Sequence, residues 1–286
     1  SSAASALETA KLSDALTEKQ LRLTVAEAYY NLLKADAMLS AGVAGLKRAE
    51  EQLKSAKAQF DAGLVARTDV LAAEVGVSNA KVSLASASKA RDMALMSLNQ
   101  VLGDALSRPV AVAAEFRYDT PKAGDPSQVV ADVLDRRLDI RKASESLRLA
   151  ELYHTIALGH FSPNVWTVRQ AAINIESARL GLDVARQAAE LEIRLQYQSL
   201  LEADERYHLT MKTLEQATES LRLAKLRYES GVGTSLEVTS ADSTLRQIEA
   251  QAIQAQFDYA LAAAKWEFLK EGGQLSSSTS SSASRT

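Results

Sequence analysis

Apolar residues recur at spacings of three and four from Val25 onward: Val25, Ala28, Leu32, Ala35, Leu39, Gly42, Leu46, Ala49, Leu53, Ala56 and Phe60. This is a heptad stripe, and it predicts a long helix packed against another helix. Large residues fill one stripe position and small ones the other, which lets helices approach closely and knobs enter holes. A strict seven-residue repeat also predicts left-handed supercoiling. The stripe breaks at Gly63 and resumes as Val70, Ala73, Val77, Ala80, Leu84, Ala87, Arg91, Ala94, Leu98 and Val101. A glycine just past a helix end takes the left-handed cap conformation at little cost, and Leu64 follows it as the apolar contact of such a cap. Thr68 is placed as the N-cap of the next helix, with Asp69 in its first turn facing the dipole. The pattern predicts an antiparallel helical hairpin with a tight tip. Its ascending helix runs from near Ser5 to Ala62, roughly 85 Å of helix at 1.5 Å per residue.

The same pattern occurs twice. Residues 1–103 and 169–271 align without a gap at a constant offset of 168. Tyr29, Leu32, Leu33, Ala35 and Asp36 recur as Tyr197, Leu200, Leu201, Ala203 and Asp204. Leu46, Ala49, Glu51, Leu53, Gly63 and Val70 recur as Leu214, Ala217, Glu219, Leu221, Gly231 and Val238. This offset is far longer than the ~20–50 residues of a solenoid repeat, so one duplication accounts for it. The second tip carries Gly231 and Val232, then Thr234-Ser235-Leu236-Glu237, which reads as a capping box. Between the copies Pro109, Pro121, Gly124 and Pro126 punctuate a loop that has room for a short strand at Val110-Ala111-Val112. Asp125 and Pro126 then predict the cap and first residue of a helix reaching about Gly159, ended by Ser162-Pro163, with a further helix from near Trp166. The expected organisation is a first helical hairpin repeat at 1–103, a linker at 104–127, a second helical repeat at 128–271 and a disordered tail at 272–286. The serine-rich stretch from 276 has the composition of disordered or added sequence.

Composition narrows the function. The chain has 12 Gly and 4 Pro in 286 residues, the balance of long helices. A net charge of −3 with scattered Lys and Arg offers nucleic acid no basic field. The absence of cysteine excludes disulfide and thiol chemistry and fits the periplasm. No run of ~18 apolar residues spans a membrane as a helix. No signal peptide is visible, and the chain starts inside a helical pattern, as a mature or trimmed chain would. His154, His160 and His208 lack ligand spacing, and no phosphate loop or nucleophile motif occurs, so neither metal, cofactor nor enzymatic activity is expected. A hairpin two helices thick leaves apolar flanks exposed, and such flanks mark an interaction surface. Closed cyclic association would make either a hollow tube or a solid bundle.

Both tips resemble those of TolC-type outer-membrane efflux and type I secretion channels. The first carries Phe60-Asp61-Ala62-Gly63-Leu64-Val65-Ala66-Arg67-Thr68-Asp69, the second Tyr228-Glu229-Ser230-Gly231-Val232-Gly233-Thr234. Arg137-Leu138-Asp139-Ile140 resembles the family's Arg-Pro-Asp-Ile element, with Leu138 in place of proline. The resemblance implies an all-α chain of duplicated coiled-coil hairpins that trimerises into a periplasmic α-barrel, with residues 104–127 as the equatorial linker. It implies a passive export conduit in the outer membrane and periplasm of a Gram-negative bacterium. Its partners would be a periplasmic adaptor of the membrane-fusion type and an inner-membrane transporter of RND, ABC or MFS type. The family inserts membrane strands after the segment Gly159–Pro163, but too few residues lie here for a pair of ~9–11-residue strands. The first copy likewise lacks its leading helix and strand pair. An engineered soluble tunnel, strands missing from the chain, and a natural barrel-less relative all fit, and the equivalent loss in both copies favours the first two.

The resemblance also implies site residues. Gly63, Leu64, Gly231 and Val232 match the tip turns met by the adaptor. Glu237 matches an aperture acid, and a second acid falls at Ser240, which would weaken the ring. Thr68 and Asp69 match residues that bond a tyrosine equivalent to Tyr228. An arginine common in the family falls at Gly233, so part of that lock is missing. Each site has a plainer explanation: Glu237 as partner of Thr234 in the cap, Asp69 as a first-turn acid, and Tyr228 as seam packing. The alternative from another class is a soluble coiled-coil scaffold or an adaptor protein. An adaptor would carry lipoyl-like strands around a single hairpin, whereas this chain has two hairpins and none of those strands.

Overall fold

A computed structural model describes residues 2–110, 116, 118–120, 124–160, 162 and 165–275. Six α-helices follow one another among them: α1 Ser2–Asp61, α2 Arg67–Leu102, α3 Pro126–Val133, α4 Leu138–His160, α5 Trp166–Glu229 and α6 Ser235–Lys270. No strand occurs among the described residues, and no helix is long and apolar enough to cross a membrane. Ala111-Val112, Pro121, Pro163 and the tail from 276 lie outside the described residues, so the expected strand beyond Val110 and the expected tail beyond Leu275 do too.

The described residues form two compact units. The tip unit draws on Thr24–Asp119 and Glu202–Leu261. The other draws on Ser1–Leu23, Thr120–Leu201 and Ala262–Thr286.

In the tip unit the heptad stripes meet as predicted. Leu32 packs with Leu98, Ala49 with Val77 and Ala80, and Ala56 with Val70 and Ala73. As one number rises the other falls, which is the signature of an antiparallel pair. In the second copy Leu221 and Tyr228 share a cluster with Val238 and Leu245. Leu32 here, like Leu200 in the other unit, is essentially inaccessible, and burying a leucine contributes about 1.5–3 kcal/mol. Small seam residues set the spacing: a Cβ on Gly42 would already touch Leu84 at 3.5 Å. The polar stripe position Arg91 is matched to Asp36 across the hairpin at 3.0 Å.

Helix α2 ends at Gly103, whose φ of 72° lets the chain turn. Asn99, fully buried, donates from Nδ2 to the carbonyls of Leu106 (3.0 Å) and Arg108 (2.9 Å) and so stitches down the start of the linker. The linker's next described residues dock on the second hairpin through aromatic rings. Tyr118 stacks on Tyr207 with centroids 5.1 Å apart, and Phe116 lies edge-on to Phe257 and Tyr259. The Tyr118 hydroxyl donates to Asp204 (2.8 Å) and lies 2.9 Å from Nε2 of His208, while the Tyr259 hydroxyl donates to the Asp119 carbonyl. Burial, with Tyr118, Asp204, Asp119 and Tyr207 nearby, pushes the Tyr259 pKa up to about 12.

The other unit corrects the helix expected from Asp125 to Gly159. Asp125 does cap it, accepting from the Ser127 N–H at 2.9 Å, with Pro126 first in the helix. The helix then breaks: a 3-10 turn covers Leu134–Arg136, and Arg137 is extended (φ −73°, ψ 137°) before α4 begins. The cause is a buried charge. Arg137 is 2% exposed, and its guanidinium pairs with Asp139 at 2.9 Å and Glu192 at 2.6 Å and reaches the Gly273 carbonyl at 3.4 Å. Burial disfavours this cation, but the hydrogen bonds and charges of Asp139 and Glu192 outweigh it and raise its pKa above the ordinary value. Glu192 also accepts from the Leu275 N–H at 2.6 Å, so Arg137 and Glu192 together tie α4, α5 and the end of α6. Ile140, Leu182 and Ala189 pack beside this knot, and Trp266, 1% exposed, packs on Tyr197.

Candidate functional site

Both tips lie in the tip unit, and both are turned by a glycine in the left-handed region: Gly63 (φ 73°) and Gly231 (φ 76°). The Leu64 N–H donates to the Gln59 carbonyl and the Val232 N–H to the Arg227 carbonyl, each closing a helix C-terminus with a six-to-one bond. The apolar contact expected of such caps does not form. Leu64 is 76% and Val232 74% exposed, because the turn aims both side chains away from the helix they follow.

The first tip starts its next helix two residues earlier than the hydroxyl at Thr68 suggests. Ala66 is the N-cap, and Thr68 lies exposed inside α2. Asp69 does the capping: its carboxylate accepts from the Ala66 N–H at 3.2 Å, while its own N–H donates to the Ala66 carbonyl. A carboxylate reaching back to the cap N–H needs no hydroxyl at the cap. At the second tip Thr234 caps as expected, its Oγ1 accepting from the Glu237 N–H at 3.2 Å. The Glu237 carboxylate lies 3.7 Å from Arg227, an exposed and therefore weak pair.

Tyr228 is 8% exposed, inside a cluster with Leu221, Val238 and Leu245 that Val65 of the first tip also joins. Tyr228 and Asp69 are thus close enough to interact: burial first, then the Asp69 charge, raises the phenol pKa. They do not bond. The Tyr228 hydroxyl is buried with no hydrogen-bond partner among the described residues. The glycine at 233 has a steric reason. A Cβ there would meet the Tyr228 N at 3.0 Å and the Arg227 carbonyl carbon at 3.1 Å, so this close turn excludes the arginine that the resemblance implies. Ser240 is exposed on α6, on the wall of an open groove shared with α5.

Above the tips the structure adds a feature that the sequence stripe did not reveal. Arg48 on α1 pairs with Glu249 (2.7 Å) and Asp242 (3.3 Å) on α6, and Arg246 pairs with Asp242 (3.3 Å). Two cations and two anions, each with 16–28% of its side chain exposed, tie the first hairpin to the second. One signal was available: position for position, the other copy carries Gln216, Glu74, Ser78 and Lys81, so the duplication fails here.

The sequence matches the outer membrane efflux protein family over residues 1–104 and 139–267, which is most of the chain. The chain belongs to that family. No curated protein sequence matches it. Its fold is similar to the outer membrane protein VceC of Vibrio cholerae, at 17% identity and a TM-score of 0.74 over 95% of this chain and 74% of that one. It is similar to the open state of the MtrE outer membrane channel of Neisseria gonorrhoeae, at 23% identity and 0.69 over 94% and 70%. The CmeC outer membrane channel of Campylobacter jejuni is similar at 15% identity and 0.72 over 94% and 66%. As a member of the efflux family the chain is the periplasmic tunnel portion of an outer-membrane export channel, a passive conduit. The family is trimeric and works with adaptors and inner-membrane transporters, and it is a transport family rather than an enzymatic one.

Proposed function

We propose that three copies of this chain close a non-enzymatic tunnel whose periplasmic mouth is ringed by the second tips. In this reading residues 1–103 and 128–271 are the two repeats of one tunnel wall, 104–127 is the equatorial linker and 272–286 is the tail. One Glu237 per copy forms the aperture acid, and Ser240 leaves the ring with a single acid at that level. Thr68, Asp69 and Tyr228 occupy the latch position. The latch is weak here, because Gly233 supplies no cation and the Tyr228 hydroxyl has no partner.

The observation that carries this reading is the shared cluster of Tyr228, Val238 and Val65, which places the two tips against each other in one unit. The turns at Gly63, Leu64, Gly231 and Val232 form the adaptor contact. Support comes from the exposed Leu64 and Val232 beside Leu236, which is 77% exposed: three large apolar side chains held in water at tight turns. Through the adaptor the tunnel serves an inner-membrane transporter of RND, ABC or MFS type. The test is conductance in planar bilayers of a chimera that sets this chain's tips on a family member possessing the membrane strands. Glu237→Ala should lower cation preference; unchanged conductance and selectivity would remove Glu237 from the aperture.

A further inference from the structure

The internal duplication singles out one lysine whose charge goes unanswered. On the first hairpin Lys57 of α1 pairs with Glu74 of α2 at 3.5 Å. The same two positions, 168 residues on, are Lys225 of α5 and Asp242 of α6. There the pair does not form. Asp242 is one methylene shorter than Glu74, and an arginine takes each of its oxygens. Its Oδ1 lies 3.3 Å from Nε of Arg48, and its Oδ2 lies 3.3 Å from Nε of Arg246. Lys225 is half-buried and has no ion pair among the described residues.

This lysine borders a small cavity where the two hairpins meet. Arg48, Gln52, Lys225, Asp242 and Arg246 make its polar wall, and buried Ala49, Ala73 and Val238 make its apolar one. Its volume of about 30 Å³ holds one or two particles of water's size, at about 10–15 Å³ each. Gln52 brings to it an Nε2 that is buried with no hydrogen-bond partner among the described residues. An amide N–H held out of water calls for an acceptor. Three cations and one acid stand in this wall. Glu249 accepts from Nη2 of Arg48 at 2.7 Å, and counting it still leaves three cations to two acids.

We propose that this cavity binds a single halide ion, chloride, between the Gln52 amide and the Lys225 ammonium, and that the ion ties the second hairpin to the first. Its size selects the ligand: a carboxylate, sulfate or phosphate has too many atoms for the space. A water would give Gln52 its acceptor but would leave the excess positive charge of Arg48, Lys225 and Arg246 unbalanced. Asp242 does not bar an anion, because both of its oxygens are engaged by guanidinium groups. On the first hairpin Glu74 answers the lysine from within the chain; on the second, the answer comes from solution. The site lies within the tip unit of one chain, so it stands whether or not copies close a tunnel.

Bromide can replace chloride and is located by its anomalous scattering. Crystals of the unaltered protein grown in sodium bromide should show one anomalous peak within hydrogen-bond reach of Gln52 Nε2 and Lys225 Nζ. Water alone in the cavity, or the Gln52 carbonyl oxygen turned onto Lys225 with no bromide peak, would overturn the site. Urea unfolding gives the second measurement, with chloride replacing gluconate at constant ionic strength, since gluconate is too large for the cavity. Once the site fills, the folded-to-unfolded ratio should rise about tenfold for each tenfold rise in chloride, the slope of one bound ion. Lys225→Glu offers Gln52 a carboxylate in place of the ion, and its stability should be the same in both salts. Wild-type stability that is equal in chloride and gluconate would mean an adventitious ion only and would overturn the proposal. A chloride response that survives Lys225→Glu would put the ion elsewhere and overturn it equally.

Discussion

Replacing Tyr228 by phenylalanine separates packing from latching at the tip. Tyr228 is 8% exposed and its hydroxyl is buried without a partner among the described residues. A hydroxyl held out of water with nothing to bond costs about 1–3 kcal/mol, whereas the ring keeps its contacts with Leu221, Val238 and Val65 when only the oxygen is removed. Allowing about 0.5 kcal/mol for lost contacts of the oxygen, Tyr228→Phe should stabilise the chain by about 1 kcal/mol, roughly a fivefold change in the folded ratio. Urea unfolding followed by circular dichroism at 222 nm measures it, with the midpoint rising and the slope unchanged. The Asp69→Asn variant completes a double-mutant cycle, and its coupling to Tyr228 should stay below about 0.5 kcal/mol. A destabilised Tyr228→Phe, or a coupling of about 1 kcal/mol or more, would refute the reasoning and show a working bond between Tyr228 and Asp69.

Three further outcomes follow from the structure. Arg137→Met leaves Asp139 and Glu192 facing each other without their cation and should cost about 3–5 kcal/mol, read from the fluorescence of buried Trp266 in the same unit; a loss under 1 kcal/mol would mean the knot at α4 is not held by charge. Tyr259 binds its proton more tightly folded than unfolded, so its contribution is complete below pH ~10 and is lost as pH rises toward about 12. Wild type should therefore lose up to roughly 2–3 kcal/mol more than Tyr259→Phe across that window in pH-dependent urea melts; parallel curves would contradict it. Gly231→Ala should cost about 1–2 kcal/mol from backbone strain alone, since no atom lies within 4 Å of the added methyl. Gly233→Ala should cost a similar amount by the opposite cause, contact with the Tyr228 backbone, and a crystal structure of each variant would show a moved turn only at 233.

The helices and tips were legible in the sequence because their causes are local or periodic. The stripe from Val25 to Val101 encodes its own partner, and a glycine recurring at 63 and 231 encodes a turn that needs a positive φ. What stayed hidden depends on residues far apart in the chain. The break at Arg137 is held by Glu192, 55 positions away; within the run from Asp125 to Gly159 only the Arg137-Leu138-Asp139-Ile140 element, which the resemblance puts at the start of a helix, pointed to it. Thr68 looked like a cap because hydroxyls usually are, but the Asp69 carboxylate reached the cap N–H first. Leu64 and Val232 looked like cap contacts, yet they point outward, which makes them candidates for a partner rather than for the core. The aromatic dock of Tyr118 on Tyr207 and Tyr259 lies in a linker without periodicity, so no spacing rule reaches it. At the tip the Asp69 charge acts on Tyr228, but the Tyr228 hydroxyl makes no bond among the described residues, which no spacing in the sequence reveals.

Single-particle electron microscopy of the purified protein tests the central claim most directly. A wall made of duplicated hairpins from three copies predicts hollow particles with threefold symmetry, narrowed at the end that carries Gly63 and Gly231. Solid bundles, or single chains at every concentration, would contradict the tunnel.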